Sequence, residues 1–275
     1  MANSKIKKKT KTRECKRCGE WFDEAKSQCP HCGAWNVDEL VTNDTDGTIL
    51  LSDVEEQEER TQYLKTGPWD VAFCKTHEGI PTRSVTLLGG APGAGKSTLS
   101  IQLCSAIGAS LEGPGEVFYI GAEEAKEDYK ERAKRLKLPA MNRIRMYPMG
   151  ASGDLGAILL NRRPRAIVID SLPGIAADAA SAEEITKNFK QYAVELDAPV
   201  IIIDHVTKDG DMAGFMAIQH HVDITMLMFP EDGSEVRRLT VLKNRFGPAN
   251  FDIFLMMTDK GLIAHEEPEE DEDED

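Results

Sequence analysis

Nine consecutive residues, Gly90, Ala91, Pro92, Gly93, Ala94, Gly95, Lys96, Ser97 and Thr98, constrain this chain more than any other feature. They match G-x-x-x-x-G-K-[ST], a loop whose glycines let backbone N–H groups turn inward around phosphate oxygens. The mechanism demands a context: a buried strand must enter the loop, and a helix must leave it with its positive end toward the phosphates. Both are legible. Ser84–Leu88 is a short β-branched run ending in glycines, and Leu99, Leu103, Ala106 and Ile107 recur at helical spacing. A chance glycine-rich turn before a lysine would lack those flanks. The loop therefore predicts a nucleoside triphosphate site, with Lys96 reaching the β- and γ-phosphates and Ser97 ligating Mg²⁺.

Downstream, the pattern predicts strand Val117–Ile120, an amphipathic helix Lys126–Leu136, apolar runs Ala166–Asp170 and Pro199–Asp204, and helix Glu183–Leu196 between them. Three strand-like runs without helices close it: Asp223–Phe229, Arg237–Leu242 and Phe251–Met257. Alternating β and α implies an α/β fold with a mostly parallel sheet, and the closing strands imply an antiparallel extension. The second Mg²⁺ anchor should be an acid at the end of a buried strand. Asp170 is the first choice and Asp204 the competitor. Hydrolysis also needs a group to orient or deprotonate water. Glu123 and Glu124 lie just past Val117–Ile120, at the carboxyl-end position where such sheets bind ligands. Glu123 is the expected base and Glu124 the fallback, although either could simply open the next helix.

Four of the six cysteines form Cys15-x₂-Cys18 and Cys29-x₂-Cys32, ten residues apart. Two such knuckles can present four thiolates to Zn²⁺, and a segment this short needs a metal to hold it folded. A redox role for one pair leaves the other unexplained. His31, between ligands, reads as a surface residue, and Cys74 and Cys104 have no nearby partner; Cys104 reads as core. Composition divides the chain into 1–35 (basic, with the cysteine cluster), 36–66 (an acidic linker), 67–264 (the ATPase domain) and 265–275 (an acidic, disordered tail). The net charge of −14 says little about a nucleic-acid partner, because nine acids sit in the last ten residues and eight Lys/Arg in the first eighteen. No apolar run is long enough to span a bilayer, so the expectation is a cytoplasmic protein with no membrane partner.

Taken together these motifs resemble the bacterial RadA (Sms) family of DNA-repair proteins. The resemblance rests on the Cys29-Pro-x-Cys32-Gly-x-Trp35-Asn36 ending, the Glu123-Glu124 turn, His205-Val-Thr-Lys208-Asp-Gly210, Ala213-Gly214 and Lys243-Asn244-Arg245-Phe246-Gly247, in register over roughly residues 13–263. It implies a RecA-like ATPase core, ATP, Mg²⁺ and Zn²⁺ as cofactors, and a homo-oligomeric ring, a hexamer, acting on single-stranded or branched DNA. Lys243 and Arg245 are implied to reach a neighbouring subunit's nucleotide and to couple to DNA. His205 is implied to sense the nucleotide and relay to a DNA-contacting loop, His205–Gly214, where Lys208 touches DNA. Lys187 and Lys190 are weaker DNA candidates. The chain departs from the family in three ways. The family continues into a protease-like C-terminal domain, so a short form is expected here. Val71–Gly79 replaces a glycine-rich stretch. Phe215 replaces a proline in the DNA loop, where it can stack on a base.

The leading expectation is an ATP-dependent DNA motor of recombination or repair, a helicase or branch-migration ATPase. The alternatives are a replicative helicase of the DnaB type and an ATP-switched mediator or loader that does not unwind DNA. The acidic tail reads as a solvating end, as a mimic of DNA, or as a dock for a recombinase or replication partner.

Overall fold

The computed structural model describes residues 12–15, 17–23, 26, 28–34, 61–74, 77–148, 150–206, 217–231 and 233–266. They fall into two units, one within Met1–Glu58 and one within Glu59–Asp275. In the small unit, β1 (Thr12–Glu14) pairs with β2 (Trp21–Asp23) as an antiparallel hairpin. Its two cysteine turns are built alike. The glycine after each pair donates its N–H to the carbonyl of the first cysteine, Gly19 to Cys15 at 2.8 Å and Gly33 to Cys29 at 3.0 Å. Each first cysteine donates onward, Cys15 to Glu20 and Cys29 to Ala34. Both glycines have positive φ, 76° and 69°, which a side chain would resist.

The large unit runs β3 (Tyr63–Leu64), α1 (Asp70–Phe73), β4 (Ile80–Pro81), β5 (Val85–Gly90), α2 (Lys96–Ser110), β6 (Val117–Gly121), α3 (Lys126–Arg135), β7 (Ile144–Pro148), α4 (Leu155–Arg162), β8 (Ala166–Asp170), α5 (Ala179–Leu196), β9 (Val200–Ile203), β10 (Ile224–Pro230), β11 (Val236–Asn244), β12 (Phe251–Thr258) and β13 (Gly261–His265). Among the described residues nine strands form one sheet, ordered β13-β12-β11-β10-β5-β9-β8-β6-β7. From β10 to β7 every pairing is parallel, and from β10 to β13 every pairing is antiparallel.

The central strands are buried on both faces, which is why they read as continuous apolar runs. Their side chains alternate between two cores. Val168, Leu88 and Tyr119 pack with α1, α2 and α3, whereas Ile167, Ile169, Leu87 and Phe118 pack with α4 and α5.

Several boundaries differ from the sequence expectations. Tyr63–Leu64 pairs with Ile80–Pro81, and the Thr66 N–H and hydroxyl both donate to Asp70 Oδ1, so the end of the acidic stretch 36–66 belongs to the large unit. Residues 36–60 of that stretch lie outside the described residues. Helix α5 starts at Ala179 rather than Glu183, because Asp178 and Ser181 form a reciprocal capping box ahead of a run of small residues. Strands β7 and β13 and helix α4 were not anticipated. Strand β7 is a partly buried edge with a mixed pattern, and β13 carries two buried residues.

Candidate nucleotide site and metal cluster

The parallel strands place the predicted groups side by side. β5, β9, β8 and β6 are consecutive in the sheet and end respectively in the phosphate loop, Asp204–His205, Asp170 and Glu123–Glu124. Gly90 closes β5 with φ 147°, and a Cβ there would lie 2.1 Å from the Met228 carbonyl oxygen. Gly95, with φ 106°, starts helix α2 in a left-handed turn that a side chain would strain. Lys96 follows, 4% exposed, and its ammonium donates to the carbonyls of Gly90 at 2.7 Å and Ala91 at 2.9 Å. Burial lowers the Lys96 pKa, while Asp170, Glu123 and Asp204 oppose the shift.

Asp170 is the metal-anchor candidate the structure favours. Ser97 Oγ donates to its Oδ1 at 3.1 Å, so the loop serine and the strand-end acid already share one point. Tyr119 Oη donates to Oδ2 at 2.5 Å and lies 3.0 Å from Ser100 Oγ. Burial raises the Asp170 pKa; Tyr119 and Ser97 pull it down, and Glu124 and Glu123 push it up again. Asp204 Oδ1 instead accepts the His205 N–H at 2.9 Å. The two acids of the Glu123-Glu124 turn are separated by their partners. Glu124 is engaged by Arg132 at 2.8 Å. Glu123 accepts from Ser171 Oγ and meets His205 Nε2 at 3.0 and 3.2 Å, on the rim of the same cavity.

That cavity has a volume of about 920 Å³ and is lined by loop residues, Glu123, Glu124, Arg132, Arg135 and His205, with Met257–Asp259 opposite. Glu124 Oε2 and Arg132 Nη1 are buried there without hydrogen-bond partners. Asp170, Glu123 and Asp204 from three strand ends act on the buried Lys96, and Ser97 Oγ meets Asp170 beside it, a set of oxygens suited to a divalent cation next to a triphosphate. The residues present therefore fit a Mg²⁺–nucleotide.

Lys243 and Arg245 are not part of this cavity. β11 runs antiparallel to β10, so Asn244 stands level with Ile224 and Thr86, at the start of the parallel strands. Lys243 Nζ donates to the carbonyls of Gln219 and Val222 at 2.8 and 2.7 Å, and Arg245 Nη1 to Asp223 Oδ1 at 3.0 Å. Lys187 pairs with Glu183 at 2.6 Å, and Lys190 with Asp223. Lys208 and Phe215 lie outside the described residues. The participation of Tyr119, Ser171 and Arg132 was not anticipated. Only Tyr119 left a signal: a buried aromatic hydroxyl requires a partner.

In the small unit one sulfur from each of Cys15, Cys18, Cys29 and Cys32 lies within 4.8 Å of the others. Cys15 and Cys32 are 3.7 Å apart and Cys18 and Cys29 3.8 Å. Four sulfurs at the Zn–S distance of about 2.3 Å form a tetrahedron with edges of about 3.8 Å, which these two edges match, so the set fits Zn²⁺. The backbone N–H of Cys18 is the main influence holding the Cys15 thiol down at about 6, whereas, against the backbone N–H of Glu20, burial and the neighbouring sulfurs push Cys18 up to about 12. His31 is exposed.

An AAA domain model matches residues 76–211. The chain is 31% identical over 273 residues to the DNA repair protein RadA of Chlamydia pneumoniae, covering 92% of this chain and 59% of that one. It is 30% identical over 287 residues to RadA of Chlamydia muridarum, covering 98% and 61%. Over most of its length the chain resembles these RadA proteins. RadA of Pseudomonas aeruginosa is similar to the same extent, 30% over 269 residues, covering 90% and 58%. The chain thus spans about three fifths of the length of these RadA relatives. At 98% of this chain, the Chlamydia muridarum alignment takes in both the cysteine cluster and the phosphate loop. Among the described residues no helix is long and apolar enough to cross a membrane.

Proposed function

We propose that this chain is an ATP-hydrolysing motor acting on DNA in recombination or repair, with each active site completed by a neighbouring subunit. Within the chain, Lys96 offsets negative charge on the transferred phosphoryl group, and Ser97 and Asp170 are the residues that would hold Mg²⁺, which would supply further charge stabilisation there. Glu123 accepts a proton from the attacking water, held for that task by Ser171 and His205. His205 joins the base to the segment that carries Lys208 and Phe215, so a change at the phosphate has a route to the DNA loop.

The observation that carries the shared site is the position of Arg245. It stands level with Val85, whose strand enters the phosphate loop at Gly90, which puts it about 16 Å away at roughly 3.3 Å per residue. An arginine side chain cannot span that distance to its own nucleotide, whereas a neighbour's nucleotide can be brought to it. This reading accords with the homo-oligomeric ring acting on single-stranded DNA that the resemblance implies. The names of the relatives supply the link to repair.

The test is ATP hydrolysis by the full chain with and without single-stranded DNA. The expected result is stimulation by DNA that disappears in Lys96→Ala. Equal rates with and without DNA, and no DNA retained in a low-salt shift assay, would sink the proposal. Unwinding of a labelled fork by the chain alone separates a motor from an ATP-switched loader.

A further inference from the structure

A charged cluster that the nucleotide cavity does not use lies at the amino ends of the parallel strands. Its centre is Asp223, the residue before β10, which is 3% exposed. Its Oδ2 accepts the N–H of Val85, the first residue of β5, at 2.9 Å, and also pairs with Lys190 of α5. Its Oδ1 accepts Nη1 of Arg245 at 3.0 Å, and its carbonyl accepts the Arg245 N–H at 3.1 Å. One buried carboxylate thus joins the first residue of β5, a helix and the end of β11.

Two features distinguish this from an ordinary satisfied acid. Arg245 itself is 56% exposed, so its guanidinium projects from the surface while one terminal nitrogen is tethered. A guanidinium has five N–H donors in a rigid fork, so that tether fixes its direction and leaves donors for an incoming anion. Lys243 is close enough that, after burial, Arg245 is the next influence lowering its pKa, with Lys190 acting in the same direction and Asp223 opposing. Three cations surround one carboxylate, and Arg245 is the most exposed of them. Asn244 holds the strand end in shape, its Nδ2 donating to the Phe73 carbonyl at 2.8 Å and its Oδ1 accepting the Phe246 N–H at 2.9 Å.

We propose that Asp223 is the positioning residue for Arg245: it pre-orients the guanidinium that this subunit presents to its neighbour's triphosphate. The proposal rests on the interface reading above. An exposed arginine loses rotamer freedom when it engages a phosphate, and a tether in place beforehand reduces that loss. The effect appears in the neighbour's site and leaves the chain's own phosphate loop intact.

The experiment is subunit mixing. Asp223→Asn alone should lower kcat on the order of a hundredfold, the scale of an ångström-level misplacement, while KM for ATP stays within about twofold. Mixed with an equal amount of Lys96→Ala subunits, inactive alone but with a sound Arg245, the rate should return to about a quarter of wild type, because random assembly pairs a sound loop with a sound donor at about one interface in four. Arg245→Ala mixed with Lys96→Ala is the control. Recovery in the control but not with Asp223→Asn overturns the positioning role and leaves the interface reading standing; recovery in neither overturns the interface reading itself. A rate above wild type for Asp223→Asn alone would mean that the pair restrains Arg245, and also overturns the proposal. Because Asp223→Asn leaves Lys190 without its partner, the double variant Asp223→Asn/Lys190→Met is run beside it. Failure of both to fold assigns Asp223 to folding and overturns the proposal as well.

Discussion

Replacing Tyr119 by phenylalanine removes a single oxygen from the metal anchor and tests the electrostatics of the site directly. That hydroxyl, on a side chain 1% exposed, donates to an Asp170 carboxylate that is itself 2% exposed. Burial raises the Asp170 pKa and the Tyr119 hydrogen bond lowers it, so deleting the donor raises it further. A hydrogen bond to an ionised group contributes about 1.5–3 kcal/mol and a neutral one about 1. The expected loss at pH 7 in magnesium-free buffer is therefore about 2 kcal/mol, or about 4–8 °C in Tm for a domain of roughly 200 residues.

The sign of the pH dependence follows from linkage. A raised carboxyl pKa means the folded state binds more protons than the unfolded one, so its penalty is absent below the unfolded pKa of about 3.9 and complete above the folded one. Tyr119→Phe enlarges that penalty, so its cost should fall as the pH drops from 7 toward the unfolded carboxyl value of about 3.9. Scanning calorimetry of both proteins at the two pH values measures this. Equal losses at both, or no loss at pH 7, would refute the assignment of Tyr119 as a partner of the ionised Asp170.

Glu123→Gln should keep ATP affinity within about threefold and lower kcat on the order of 10²–10⁴, measured by equilibrium binding and steady-state hydrolysis. Gly90→Ala should unfold or displace the phosphate loop, because its Cβ would press on the Met228 carbonyl; a loss of more than about 2 kcal/mol in denaturant unfolding is expected. Native mass spectrometry should find one Zn²⁺ per chain, released by a chelator together with the fold of the cysteine segment and absent in Cys18→Ser.

The legible parts of the sequence were those where one local rule dictates one residue. The phosphate loop needs glycines, the cysteine turns need CxxC followed by glycine, and a buried strand ending in Asp needs a reason for the charge. Each of these is legible because its cause lies within a few residues. Tyr119, Ser171 and Arg132 were missed because their roles come from β6 lying beside β8 and from α3 folding back over Glu124. Edge strand β7 and terminal strand β13 failed for a different reason: with a face or an edge left partly open, the apolar period that identifies a strand weakens. The linker boundary failed because Tyr63–Leu64 is too short to register as a strand until Ile80–Pro81 pairs with it.

Lys243 and Arg245 show how topology, rather than proximity in sequence, sets what a residue can serve. In a parallel sheet all strand ends of one kind lie on one side, and ligand sites collect at the carboxyl side. The chain reverses between Pro230 and Val236, and that single antiparallel step carries the end of β11 to the amino side. Any cation there is barred from the chain's own phosphate loop by the length of β5, however close the two are in function. The reversal thus gives one sheet two charged ends: an acidic one around Lys96, and one around Asp223 where Lys190, Lys243 and Arg245 gather. On the proposed reading these two ends meet between neighbouring subunits head to tail, a contact that closes into a ring or grows into a filament. Subunit mixing with Arg245→Ala discriminates this arrangement from a self-sufficient site, since rescue by a loop-dead partner has no other source.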